Sequence, residues 1–159
     1  MYLDPIPGLQ GVCTSAVDTD TGEYVVVAIR VLYGLPRLQM GAILANELMH
    51  AWLNLNGYKN ISLELQEGLC QVLSHMWLES QVLLLPEMTN MPSTRSSPSP
   101  WSSSFENKLH KCIMYYIAHN KSPIYGGGYR DAMRAVKKYG LHGTLDHIWH
   151  TGALPKVVL

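Results

Sequence analysis

Apolar positions change their spacing from segment to segment along this chain, and the spacing predicts the elements. Residues 23–33, Glu23-Tyr-Val-Val-Val-Ala-Ile-Arg-Val-Leu-Tyr33, form a β-branched apolar run between Gly22 and Gly34, and read as a strand. Continuous apolarity argues for burial on both faces. Alternation of Tyr24, Val26 and Ala28 against Val25, Val27 and Ile29 is the other reading. Over residues 37–56, Met40, Ile43, Leu44, Leu48, Ala51 and Leu55 recur near the helical period of about 3.6, and Gly57 supplies a stop. Ser62 is the expected N-cap of a second helix that carries Glu67, Leu69, Val72, Leu73, Met76 and Trp77 and ends near Glu79.

The pattern then breaks. Residues 84–104 are dense in Ser and Pro, too polar to bury the apolar surface that would offset ordering, and read as a disordered insertion. Helical spacing returns over 105–118, with Phe105, Leu109, Cys112, Ile113, Tyr116 and Ile117 on one face, and again over 129–139. A shorter helix follows Thr144 with Leu145, Ile148 and Trp149 inward, and Gly126-Gly-Gly128 marks a sharp connection. Residues 1–22, rich in Pro, Gly, Asp and Thr, read as an irregular lead-in, so the expected domain is 23–159.

Composition narrows the classes. A chain of 159 residues favours one domain that buries roughly 70% of its unfolded surface. Twelve basic residues balance twelve acidic ones, so no bulk field draws the chain to nucleic acid. Charged residues make up 15% and hydrophobic ones 47%, which suits either a domain covered by neighbours or self-association, or an ordinary helical domain with a large core. Cys13, Cys70 and Cys112 form no CxxC pair and cannot all pair together, which fits a reducing compartment. No apolar run reaches the ~18 residues of a membrane span and no segment resembles a signal peptide. The expected location is the cytoplasm, with the nucleus also open.

The chemistry concentrates at Asn46-Glu-Leu-Met-His50, one substitution from the zinc-peptidase signature His-Glu-x-x-His. On a helix, positions 46 and 50 lie on one face with Cβ atoms about 6 Å apart, so both reach one ion. Position 47 lies about 100° around, where a glutamate collects the proton of a metal-bound water. The third protein ligand of one large class is a glutamate on the next helix, often just before a glycine. Gln66-Glu67-Gly68 is such an element, with sixteen residues between His50 and Glu67. A helix with one surface glutamate and one satisfied histidine is the structural alternative for Glu47 and His50.

Seven stretches belong together: Tyr33–Arg37, Ile43–Leu53, Asn56–Tyr58, Gln66–Glu79, Ser122–Tyr129, Lys138–Leu141 and Thr144–Ile148. Together they resemble the plant DA-type ubiquitin-activated peptidases, which restrict organ growth. The resemblance covers roughly residues 31–155 and places the Ser/Pro insertion where the family carries a low-complexity loop. It implies a gluzincin-like zinc peptidase, α+β and mainly α, with a small sheet and a C-terminal helical subdomain closing the cleft. It also implies protein or peptide substrates of the ubiquitin pathway. Glu47 would be the general base, and His50 and Glu67 would be zinc ligands. Asn46 stands at the first ligand position, where an amide oxygen is a poor zinc donor that adds no charge. Tyr125 is the oxyanion-stabilising candidate, with Tyr129 beside it, on position alone, and such residues are more often packed aromatics. The LIM and ubiquitin-interacting modules of the family have no counterpart in these residues.

The other titratable residues carry plainer readings. Glu64 could ligate or orient His50, against a role as a helix N-terminal carboxylate. His75 could complete the site, against a core or capping role. His110 and Cys112 have spacing for neither helix nor finger ligation, Lys137-Lys138 is too short a basic run for nucleic acid, and Trp52 and Trp77 read as core residues. Two functions follow: a zinc endopeptidase-like domain, weak or inactive, or a non-catalytic pseudopeptidase that binds a peptide or partner.

Overall fold

A computed structural model of the chain describes residues 10–58, 60–84 and 100–157. Two strands, β1 (Gly11–Val17) and β2 (Tyr24–Val31), lead into helices α1 (Arg37–Leu55) and α2 (Leu63–Leu84). After residues 85–99 come α3 (Pro100–His119), a π-helical turn (Pro123–Gly127) and α4 (Gly128–Thr151). The fold is therefore mainly helical, with one small antiparallel sheet.

That sheet corrects two expectations. Residues 11–17 are not an irregular lead-in but the partner of β2, pairing from Gly11 opposite Val31 to Val17 opposite Tyr24. A register shift between Thr14 and Ser15 bends the strand. Asp18 closes the hairpin, its carboxylate accepting from the amides of Asp20 and Thr21. β2 is not buried on both faces either. Val25 and Val27 are exposed, because one face of the sheet lies on α1 and no described element covers the other.

The core forms where α1, α2 and α4 meet. Leu53, Leu69, Val72, Leu78, Ala132 and Ile148 are almost wholly buried, each large apolar side chain contributing roughly 1.5–3 kcal/mol. α1 presents Leu38, Ala42, Ala45, Met49 and Leu53 inward, one step around the helix from the stripe its sequence suggested. Leu44, Leu48, Trp52 and Leu55 are exposed instead. Small residues let α1 and α2 approach closely. A side chain at Gly41 would meet the Trp77 ring, and the Ser74 hydroxyl donates to the Ala42 carbonyl at 2.7 Å. Ser62 caps α2 as its sequence predicts, accepting from the Leu65 amide at 3.2 Å.

The C-terminal helices pack on α2. α3 starts at Pro100, earlier than the Ser/Pro composition suggested, while residues 85–99 of that insertion lie outside the described residues. Leu109, Ile113 and Ile117 face the core, whereas Phe105, Cys112 and Tyr116 are exposed. The glycine triplet is no sharp connection. The π-helical turn runs into α4 and lies against the first turns of α2, where Cβ atoms at Gly68 and Gly128 would each strike the other helix's backbone. α4 breaks at Gly140 (φ 75°, ψ 163°), which separates the two helical stretches the sequence predicted. Thr144 lies inside the second stretch, and Trp149 is exposed rather than inward.

This packing sets apart two glycine-to-alanine substitutions. Gly68→Ala drives a methyl into the Gly128 carbonyl and is expected to cost about 1–3 kcal/mol. Gly143→Ala, exposed on α4 with its nearest neighbour at 3.8 Å, is expected to stabilise by about 0.5–1 kcal/mol. Urea unfolding midpoints of the two variants check the pair, and a Gly68→Ala protein as stable as the parent would contradict the close approach.

Candidate functional site

Three of the expected site residues come together where α1 crosses the start of α2. The His50 Nε2 lies 3.6 Å from the Glu67 Oε2, both side chains being largely buried. Glu47, three residues before His50 and 8% exposed, shares that flank of α1. The strand approaches it closely: a Cβ at Gly11 would crowd Ile43 and the Glu47 carboxylate, so only glycine lets β1 lie there. The Cys13 amide donates to that carboxylate. Asn54 fixes the strand further along, donating to the Ser15 hydroxyl at 2.8 Å.

Gln66 joins the cluster with a role that spacing alone does not assign. Its amide nitrogen lies 3.3 Å from the His50 Nδ1, so one side chain of α2 holds each ring nitrogen. The amide nitrogen donates to Nδ1, which leaves the ring proton on Nε2, toward Glu67. Adjacent glutamine and glutamate reach the two ring nitrogens of one imidazole because α2 runs back antiparallel along α1, with Ser74 at Ala42 and Trp77 at Gly41.

Burial and charge oppose each other here. Burial pushes the Glu47 carboxyl above its ordinary value. The His50 charge and the Cys13 amide pull it down without cancelling that effect, and Glu67 adds to the rise. Burial also disfavours a charged His50, but the hydrogen bond and charge of Glu67, with Glu47 behind them, outweigh it and raise the imidazole. Cys70, beneath the cluster, is pushed well up by burial and then by Glu67 and Glu47, so it is held as a thiol.

The donors fit a metal only in part. Zinc bonds of about 2.0–2.2 Å in a tetrahedron separate two ligand atoms by about 3.4 Å, close to the His50–Glu67 spacing. The same spacing is also that of an ion pair. Asn46 is half-buried on the same helix and offers only a neutral amide, and no group of three or more His, Cys, Asp or Glu among the described residues is arranged for a metal.

The remaining candidates fall elsewhere. Glu64 is exposed in the first turn of α2. His75 lies two turns past Glu67, about 12 Å along the helix, and is held by the Tyr129 hydroxyl at 2.8 Å and by Glu79 at 3.2 Å. It therefore serves packing rather than the site, and Tyr129 is committed with it. Tyr125 is partly exposed on the π-helical turn, its amide donating to the Ser122 hydroxyl at 3.3 Å. Among the described residues its hydroxyl makes no hydrogen bond to Glu47, His50 or Glu67. His110 donates from Nε2 to the Leu78 carbonyl of α2 at 2.9 Å, and among the described residues it makes no cluster with Cys112.

Comparison with known proteins gives the chain its family. The DA1-like family model, described as Protein DA1, matches residues 10–151. The chain belongs to the DA1-like family. It is 56% identical over 140 residues to Protein DA1-related 2 of Arabidopsis thaliana, covering 82% of this chain and 26% of that protein. Protein DA1 of the same plant is 42% identical over 139 residues, covering 85% of this chain and 26% of DA1. LIM domain-containing protein HDR3 of Oryza sativa subsp. japonica is 45% identical over 142 residues, covering 82% and 28% respectively. The chain thus spans about a quarter of these curated relatives. No solved structure matches it. The family match begins at residue 10, so it takes in β1, ahead of the stretches from residue 31 onward that carry the resemblance.

The raised Glu47 value has a consequence for stability. A carboxyl raised on folding makes the native state bind more protons, so stability falls as pH climbs from about 4.5 through the folded-state value. Glu47→Gln keeps an acceptor for the Cys13 amide and removes that loss. Its melting temperature is expected to exceed the parent's at pH 7 and to match it near pH 4, by calorimetry. Equal differences at both pH values would contradict burial of an ionised Glu47.

Proposed function

We propose that this chain is a zinc-peptidase-type domain, gluzincin-like in design, whose metal site is one ligand short. The observation that carries this is the meeting of His50 and Glu67 at 3.6 Å beside Glu47, with Asn46 one turn before His50. A zinc ion, where bound in such peptidases, polarises the scissile carbonyl and acidifies a water. Here His50 and Glu67 would hold it and Asn46 would add only a neutral oxygen, so affinity would be low and hydrolysis slow or absent. Glu47 is suited to take a proton, because burial brings its basicity closer to neutral pH than that of an exposed carboxylate. Tyr125 is the group on the π-helical turn that could reach a bound carbonyl.

The substrates would be proteins or peptides of the ubiquitin pathway, met in the cytoplasm or nucleus, and the ubiquitin-dependent activation of the family would rest on other parts of a longer protein. Nothing in the charge balance favours nucleic acid, and no helix among the described residues is long and apolar enough to cross a membrane. A second reading rests on the same asparagine: a non-catalytic pseudopeptidase that keeps the cleft and binds peptide without cutting. The sheet beside Glu47 suits either, since an extended segment can add to an open strand edge.

Zinc content after dialysis, measured with peptide hydrolysis on the parent and on Asn46→His, separates these outcomes. The parent is expected to retain far less than one zinc per chain, and Asn46→His to retain about one, with affinity raised by orders of magnitude. Adding Glu47→Gln to that variant should lower hydrolysis by about 10²–10⁴-fold while zinc stays bound. A folded Asn46→His protein that binds no more zinc than the parent would sink the proposal.

A further inference from the structure

The flank of α1 turned away from Glu47 and His50 carries a cluster of three aromatic rings. Tyr58 stands between two exposed indoles, its ring centroid 5.4 Å from that of Trp52 and 5.3 Å, edge-on, from that of Trp149. Local sequence builds this arrangement. Gly57, at φ 75°, turns the chain back after α1, and a Cβ there would press on the Trp149 ring at 3.3 Å. The Tyr58 amide then returns to the Leu53 carbonyl at 3.0 Å, and its hydroxyl donates to the Leu145 carbonyl at 3.2 Å. A cleft of about 300 Å³ opens against the three rings, with Asp146 and His142 on its wall.

Three features give this cleft one electrostatic sign. Aromatic faces carry the negative side of a quadrupole and attract cations held within about 6 Å. The Asp146 carboxylate is two-thirds exposed, with His150 at 3.8 Å as its ion partner among the described residues. No described lysine or arginine lines the cleft.

The cleft is continuous with a larger apolar groove. Trp52, His142 and Leu145 line both, and Leu48, Leu55 and Leu141 extend the groove to about 550 Å³ between α1 and the second stretch of α4. We propose that the cleft is a recognition site for an arginine side chain of a protein partner, whose apolar neighbours lie in the adjoining groove. A guanidinium fits better than an ammonium, because its plane stacks on indole while its fork reaches a carboxylate in two bonds. A free small cation would leave the groove unused. The surface shares no residue with the Glu47–His50–Glu67 cluster and stands whatever that cluster does.

Fluorescence polarisation with a positional-scanning library of short labelled peptides tests this on the full chain. Each pool fixes one position as arginine, lysine, citrulline or leucine. Arginine pools with leucine neighbours are expected to bind about tenfold tighter than citrulline pools, citrulline being the neutral counterpart. Asp146→Asn, at an exposed position, should erase that preference, and Trp149→Ala should weaken the arginine pools, with circular dichroism unchanged in both. Equal binding of arginine and citrulline pools, or a preference that survives Asp146→Asn, would overturn the proposal. Binding of arginine amide or spermine as tightly as the best peptide pool would overturn the assignment to a protein partner.

Discussion

Everything at the candidate site depends on the close crossing of α1 over the first turns of α2. Helices rarely bring a histidine and a glutamate of different segments to 3.6 Å in a half-dry setting unless small residues admit the approach. Gly41, Ala42 and Ala45 provide that space on α1, while Gly68 lets the start of α4 at Gly128 seat directly against α2. The glycine after Glu67 is therefore a packing requirement. It fixes α2 from behind while Glu67 and Gln66 reach forward to the imidazole.

The cluster is costly to keep. Three ionisable side chains share a small, partly buried volume, and the net effect on Glu47 is unfavourable to its charged form. The His50–Glu67 pair offsets part of that, as the raised imidazole indicates. A largely buried carboxylate at 47 whose charged form is disfavoured reads as one kept for binding or chemistry. That reasoning agrees with membership of the DA1-like family and applies equally to a peptidase and to a binding domain descended from one.

Much of this was legible in the sequence, for reasons that differ by element. Residues 37–55 and 63–79 announce themselves by period and by the Gly57 and Ser62 boundaries, whereas α2 continues to Leu84, past the expected end near Glu79; the signature spacing then forces His50 and Glu47 onto one flank. Glu67 was found because a glycine follows it. β1 was missed because Gly11, Asp18 and Asp20 carry turn chemistry that masks a short apolar strand, and strand identity depended on a partner elsewhere in the chain. The inward stripe of α1 was misplaced by one step, since Ala42 and Ala45 weigh little in a hydrophobic pattern and yet make the contact. Leu48 and Trp52 weigh heavily and yet line an open groove. Tyr129 and His75 were separable from the site only by their mutual hydrogen bond, which no spacing rule encodes.

α1 thus presents a candidate chemical cluster on one flank and an aromatic cleft on the other, with the core between them. The central claim is the contact of His50 with Glu67, and the pH titration of the His50 ring by nitrogen-detected NMR tests it most directly. In the parent, His50 is expected to titrate above its ordinary value of 6.5, and in Glu67→Gln to fall below the parent. The contact stabilises the fold at low pH and is lost as pH rises through the raised value, so the same variant should lose stability mainly on the acid side. A His50 that titrates identically with and without Glu67 would contradict the account.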